Sequence, residues 1–392
     1  MKEYKISKGW GIVIYITATL IITGLIALFG WILIMPFVTG SEIDMKTIWI
    51  FGPISLGMIV VMVVVLLDTI KGKFVIDYDK VFIVSTFSNR QLMFNEIKGY
   101  RITDKYIFIE SNNAQKKKIK VSTYIGKVNE IKEWLSKNYA DLDIVQANKE
   151  KEEILNNEDF GCTTVQREEK LIKAQKTAKT LNWIGGLICA WTLFLANEYA
   201  IIASISFPII CVIIYKYFKG LIRINERKDT AYPTIFWAIF VTSFGLCLRG
   251  LLDYNIFEYS KIWTPCTLIA LTFIAVLIVG NKEFKFNQAK DYLTILGLSL
   301  FTFGYGYGTV VNLNCMYDKS EPESFSATIL SKRISSGKST TYYFELTPWG
   351  QKKKADEVSV SKVLYNKLET NNKVSIYLMK GKFDIPWFEV TE

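Results

Sequence analysis

Apolar residues in this chain fall into long uninterrupted runs, not into the alternating or one-faced patterns of a soluble core. Seven runs reach or approach the roughly 20 residues that a helix needs to cross a bilayer core of about 30 Å. They are Trp10–Met35, Ile48–Leu67, Leu181–Ala196, Ala200–Phe218, Ala231–Leu248, Ile262–Val279 and Tyr292–Val311. The third is short, and the helical pattern ahead of it supplies the missing turn. None carries the charged face of a helix on a soluble core, so the pattern predicts a polytopic α-helical membrane protein with about seven transmembrane (TM) helices. Lys2, Lys5 and Lys8 precede the first run as in a signal peptide. That run is too long for an h-region and no A-x-A cleavage pattern follows it, so it is expected to stay as an anchor.

Between the second and third runs the pattern changes. β-branched and aromatic residues in partial alternation mark strands at Phe74–Asp77, Lys80–Thr86, Gln91–Phe94, Ile97–Thr103, Tyr106–Glu110 and Lys118–Ser122. Short turns, among them Asp77-Tyr78-Asp79, Ser88-Asn89 and Asp104-Lys105, give the spacing of an antiparallel meander. A helix is expected at Lys127–Tyr139, with Val128, Ile131, Trp134, Leu135 and Tyr139 on one side. Residues 147–180 are charged and helical in pattern, with a capping box at Thr163-x-x-Gln166. They read as a juxtamembrane stalk. After the seventh run, an acidic linker Tyr317–Glu323 leads to strands at Phe325–Ile334, Thr340–Leu346, Val358–Val360, Lys373–Met379 and Trp387–Val390, with a helix at Ser361–Glu369. Five short strands and one helix predict a small barrel. The expected division is TM helices 1–2 in residues 1–70, a β-domain at 71–146, the stalk at 147–180, TM helices 3–7 at 181–312 and a C-terminal β-rich domain at 313–392.

The segments Gly72-Lys73-Phe74-Val75-Ile76-Asp77 and Phe94-Asn95-Glu96-Ile97-Lys98-Gly99-Tyr100-Arg101, then Ser122-Thr123-Tyr124-Ile125 and the Trp134-Leu135 helix, resemble bacterial pleckstrin-homology (PH) domains. The likeness covers residues 72–145. It implies a bent seven-stranded PH-like barrel closed by one helix, sitting beside TM helices and open to self-assembly. It implies no enzyme, and it carries over no binding residues.

Charge orients the runs. Eleven Lys and Arg lie in segment 1–9 and in the loops 216–230 and 281–291, the last holding Lys282, Lys285 and Lys290. Only Lys46, Arg249 and Lys261 lie in the alternate loops. The positive-inside rule then puts the N-terminus in the cytoplasm. With seven spans the C-terminus is extracytoplasmic, in a bacterial inner membrane. The same loops account for the net charge of +10, and no nucleic-acid fold is evident.

The chain has no histidine, which removes Ser-His-Asp and Cys-His nucleophiles, H-E-x-x-H zinc sites and His-ligated haem. Its six cysteines form no C-x-x-C pair. Gly337-Lys338-Ser339-Thr340 is no P-loop, because Lys332 stands where the first glycine belongs and a strand pattern follows. A tight turn explains Asp77-x-Asp79. No cofactor, no metal site and no enzymatic activity are expected. No charged residue occupies the centre of a run, which argues against a proton-coupled pump.

Two features remain as candidates. Lys116, Lys117, Lys118 and Lys120 cluster beside a hairpin, where each could gain about 1 kcal/mol from anionic lipid headgroups; the plainer reading is a solvated hairpin tip. Gly304 and Gly308 form a G-x-x-x-G pair that permits close helix packing. The sequence therefore reads as a non-enzymatic membrane scaffold, assembly or signal-coupling protein, binding protein or lipid partners, or a second copy, through its β-domains. The alternative is a transporter or channel component using the TM bundle.

Overall fold

The computed structural model describes residues 1–39, 45–86, 89–280, 283–284, 286, 289–336 and 340–392. Lys282 and Lys285, the Ser88 side of the first-domain turn and the Gly337-Lys338-Ser339 turn lie outside the described residues. Two compact units divide the chain, residues 1–149 and 150–392.

The first unit begins with a strand that the sequence reading treats only as a basic tail. β1 (Lys2–Lys5) pairs antiparallel with β2 (Lys73–Ile76), and the helical hairpin α1 (Lys8–Thr39) and α2 (Met45–Lys71) is inserted between them. The sheet continues through β3 (Lys80–Val84) to β4 (Asn89–Met93). A second sheet holds β5 (Ile97–Ile102), β6 (Tyr106–Ser111) and β7 (Ile119–Ser122). β1 stitches the two sheets together. Past Lys5 the chain bridges Ile6 to Ile125, the Ser7 N–H donates to the Tyr124 carbonyl at 3.0 Å, and the Gly126 N–H donates to the Lys5 carbonyl at 2.7 Å.

Alternation sends Phe74, Ile76, Val81, Leu92, Ile107, Ile109, Ile119 and Val121 into one core, which Tyr4 joins from β1. Helix α3 (Val128–Asn138) closes it with the fully buried Ile131 and Leu135. Trp134 lies between Phe94 and Tyr139, with ring centroids 5.5 Å from each. Asp77 and Asp79 serve the β2–β3 turn, where the Asp77 N–H donates to the Lys80 carbonyl and the Asp79 carbonyl accepts from Phe94 N–H. Gly72 is required where α2 turns into β2, since a Cβ there would stand 2.3 Å from the Asp68 carbonyl oxygen.

The expected stalk is in two pieces. α4 (Leu142–Asn156) ends, the chain turns through residues 157–163, and α5 (Thr164–Phe194) starts on the expected capping box, with Thr163 and Gln166 bonding each other reciprocally. Arg167 fills the turn, donating to the carbonyls of Gly161 and Leu155 at 2.7 Å and of Cys162 at 3.3 Å.

In the second unit, α5 packs on α7 (Phe236–Leu252), α7 on α6 (Glu198–Tyr217) and α9 (Ala289–Met316), and α8 (Trp263–Ile278) on α9. Among the described residues five helical stretches are long and apolar enough to cross a bilayer: Lys8–Ile32, Gly52–Lys71, Glu198–Tyr217, Ser260–Ile278 and Asp291–Met316. The third expected run lies in the C-terminal half of α5. The fifth is the shorter apolar helix α7, which starts at Phe236 because the residues before it belong to a folded connector.

That connector, residues 218–235, is packed and not a free basic loop. Leu221, Ile222, Ile224 and Ile235 are inaccessible, and Arg223 stacks 3.4 Å from the Tyr232 ring centroid. Glu150 accepts from Thr230 Oγ1 at 2.6 Å and from Ala231 N–H at 3.1 Å.

The C-terminal sheet has six strands in the order β11-β10-β9-β12-β13-β8. They are β9 (Glu323–Ser336), β10 (Thr340–Leu346), β11 (Asp356–Val360), β12 (Lys373–Met379), β13 (Trp387–Thr391) and β8 (Asn255–Ile256), with the short helix α10 (Lys362–Lys367) after β11. β8 comes from the α7–α8 loop, outside the expected 313–392 boundary. The sheet nearly closes on itself, for Asn255 Oδ1 accepts from Ser359 Oγ at 3.1 Å, joining the first and last strands.

Because β1 completes the four-stranded sheet of the first unit, Tyr4→Ala is expected to destabilise that unit by about 3 kcal/mol, the cost of emptying a large buried site. Glu3→Ala, which removes only an exposed partner of Lys73, should leave stability nearly unchanged. Thermal unfolding of the full-length protein in detergent, followed by protease sensitivity of residues 73–138, reads both.

Candidate functional site

At the foot of the α1–α2 hairpin the first unit contains a cavity of about 470 Å³. Ile6, Ile14, Val65, Phe74, Ile83 and Val121 supply its apolar wall. Lys73, Arg90 and Lys120 supply cations, and Asp68 an anion. Each charged side chain is placed by the strand or helix end that carries it. Lys73 opens β2 and pairs with Glu3 of β1 at 2.7 Å. Arg90, on β4, donates from Nη1 to the Lys118 carbonyl at 3.0 Å, drawing β4 towards β7. Lys120, on β7, lies 3.7 Å from the Tyr106 ring centroid. Asp68 is committed to the end of β3, accepting from Thr86 N–H at 2.6 Å and Ser85 Oγ at 3.1 Å. Three cations beside an apolar wall can hold a ligand with an anionic head and a hydrocarbon part; a cavity of this volume suits a small-molecule ligand.

Of the four candidate lysines the structure brings only Lys120 to this cavity. Lys116 is 2.5 Å from Glu96, and this hydrogen bond, aided by Met93 N–H, holds the Glu96 carboxyl below the usual range. Lys118 lies over the Phe108 ring at 4.5 Å, and Lys117 is exposed. Lys73 and Arg90 escape sequence reasoning because they are 17 residues apart in the chain and isolated from the lysine run; the packing of the two sheets gathers them.

Comparison with protein-family models, curated proteins and solved structures gave no match.

The glycine pair divides in the same way. Gly308 lies against the α7 backbone, where a Cβ would stand 2.8 Å from Cys247 N and the Leu246 carbonyl. Gly304 meets only the Cys247 side chain, the thiol at 3.6 Å and Cβ at 3.9 Å. Gly306, which the pattern passes over, is the close approach to α8, with a Cβ 2.6 Å from the Cys266 carbonyl oxygen. Gly308→Ala and Gly306→Ala should each cost about 1–3 kcal/mol through forced separation of helices, and Gly304→Ala should cost little. Thermal unfolding in detergent separates the three.

A second polar cluster, also unforeseen, fixes the connector. Glu283 accepts from Ile224 N–H at 3.0 Å and Asn225 N–H at 2.8 Å. Arg227 grips Asp229 with two bonds of 3.0 Å and reaches Glu150 at 3.5 Å. Burial pushes the Glu283 carboxyl up, against the pull of those two N–H groups and of Arg223 and Arg227. A carboxyl whose folded value exceeds its unfolded one binds its proton more tightly when folded. Its contribution is thus present at acid pH and declines as pH rises from the ordinary carboxylate value through the raised one. As pH rises above the ordinary carboxylate value of about 4, wild-type stability should fall relative to Glu283→Gln, which cannot titrate; parallel curves would refute the assignment.

Proposed function

We propose that this chain is a polytopic, non-enzymatic scaffold or signal-coupling protein of a bacterial inner membrane, whose N-terminal PH-like barrel binds an anionic lipid headgroup. The observation that carries this reading is the cavity. Its apolar wall includes Ile14 and Val65 of the two hairpin helices and its cations come from the barrel strands, so an amphipathic ligand would touch both at once. The PH-like assignment draws support from the four-stranded and three-stranded sheets and the helix α3 that follows them. Seven crossings follow if α7 and the apolar half of α5 are added to the five long helices. The positive-inside bias then leaves the N-terminal barrel in the cytoplasm and the C-terminal barrel outside. Coupling would run through β1 and β2, since both ends of the hairpin are strands of the same sheet.

The test is binding of a short-chain phosphatidylglycerol to the full-length protein in detergent, with the matching phosphatidylcholine as reference. Arg90→Gln and Lys120→Gln should each weaken phosphatidylglycerol binding about fivefold, the value of about 1 kcal/mol per basic residue near an anionic surface. Lys117→Gln should leave it unchanged. Equal affinity of all three variants and wild type would remove the cavity from consideration and return the lysine run to a solvated turn.

A further inference from the structure

We propose that the groove between α6, α8 and α9 seats one phospholipid, holding an acyl chain along the helices with the headgroup phosphate beside Lys216. The groove has a volume of about 460 Å³. Ile205, Ile209 and Val212 of α6 form one wall, and Leu268, Thr272 and Val276 of α8 the other. Phe273 and Tyr305, with ring centroids 5.0 Å apart, lie at its base. The Tyr305 hydroxyl donates to the Ile205 carbonyl at 2.7 Å, so this polar group of the groove is already used and the remaining surface is almost wholly hydrocarbon.

Two observations decide what fills it. First, all three helices are long and apolar enough to cross a bilayer, and the rim residues Ile209, Leu268 and Val276 are 47%, 61% and 45% exposed. The groove therefore opens on lipid chains and not on water. A void there would forfeit dispersion contacts along its whole lining, and water would find few polar partners in it. A flexible methylene chain satisfies both conditions. Second, a cation stands one helical turn beyond the groove's lining. Lys216 lies one helical turn beyond Val212, and its ammonium donates to the Val279 carbonyl and, at 3.5 Å, to the Leu277 carbonyl at the end of α8. Val276 lines the groove within the same turn of α8. One turn of helix is about 5.4 Å, so a chain lying between Val212 and Val276 brings its phosphate within reach of that ammonium. An apolar slot with one cation a helical turn beyond its lining is complementary to a phospholipid with net negative charge.

This site is separate from the N-terminal cavity, so it is tested in the Arg90→Gln/Lys120→Gln background. Full-length protein is delipidated in a mild detergent, returned to palmitoyl-oleoyl phosphatidylglycerol or phosphatidylcholine, and analysed by native mass spectrometry. One retained phospholipid is expected, with phosphatidylglycerol preferred. Thr272→Trp and, independently, Leu268→Trp fill the groove from its rim and should lower the adduct at least tenfold, whereas Thr272→Ser, which keeps the shape, should retain it. Lys216→Gln should keep a chain-bound adduct and reduce the headgroup preference about fivefold. An undiminished adduct in either Trp variant, or a headgroup preference untouched by Lys216→Gln, overturns the proposal. The two Trp variants occupy different positions on α8, and their thermal unfolding in the same detergent shows whether each is folded when its adduct is counted. Neither result bears on the N-terminal cavity, whose own variants are present throughout.

Discussion

The ladder between Lys2–Lys5 and Lys73–Ile76 is the constraint from which the N-terminal unit follows. Paired strands stand about 4.8 Å apart, so the two ends of a 67-residue excursion, from Ile6 to Gly72, are held at a single strand spacing. The excursion must therefore leave and return at one place, and its two apolar runs do so as a pair of helices packed on each other. The same ladder gives Tyr4 a core to enter and lets Ile6 bridge to Ile125, which joins the two sheets. The cavity at the hairpin foot exists because helix ends and strand ends meet there.

The C-terminal barrel uses a similar device with different parts. Its sixth strand is two residues of the α7–α8 loop, and Asn255 completes the seam to β11 through a side chain because β8 is too short to carry a full ladder. The end of α9 is fastened to the same barrel. Asn314 donates to the Ile385 carbonyl at 2.9 Å and accepts from Phe383 N–H at 2.9 Å. Asp318 accepts from Gly381 N–H at 2.7 Å and Trp387 Nε1 at 2.9 Å; burial pushes its carboxyl up, but these two donors and the N–H and hydroxyl of Ser320 outweigh it and hold the carboxyl below the usual range. A barrel that borrows a strand from an interhelical loop cannot separate from its helices without opening an edge.

Inside the bundle the polar groups are spent on helix ends and crossings. Arg249 donates to the last carbonyls of α5, those of Thr192 and Leu193, at 2.8 and 2.6 Å, while pairing with Asp253 at 2.9 Å. Thr192 and Ser204 hydroxyls meet at 2.6 Å where α5 faces α6. Orphan carbonyls at a helix end are costly wherever water is scarce, and a single arginine satisfies two of them. The connector before α7 follows the same economy, with Glu150 and Glu283 accepting backbone N–H groups of a segment that has no regular ladder of its own.

The residue pattern alone determined the local elements. Six strands of the first β-domain and five of the second lie within two residues of their expected bounds at most ends, as does α3, because each rests on alternation or helical periodicity within a short window. The capping box at Thr163 and the apolar runs were legible for the same reason. What only the tertiary structure decided is how distant segments complete one another. Lys-Glu-Tyr-Lys at 2–5 is too polar to read as a strand until β2 offers its edge, and Asn255-Ile256 is too short to read as one at all. Lys73, Arg90 and Lys120 are three unremarkable surface cations until the packing of the two sheets brings their strands around one cavity. Gly306 and Gly308 become close crossings, and Gly304 does not, through the rotation of α9 against α7 and α8. Periodicity reports which face of an element is buried. It holds no information about which partner buries it, and in this chain the partners lie tens to hundreds of residues away.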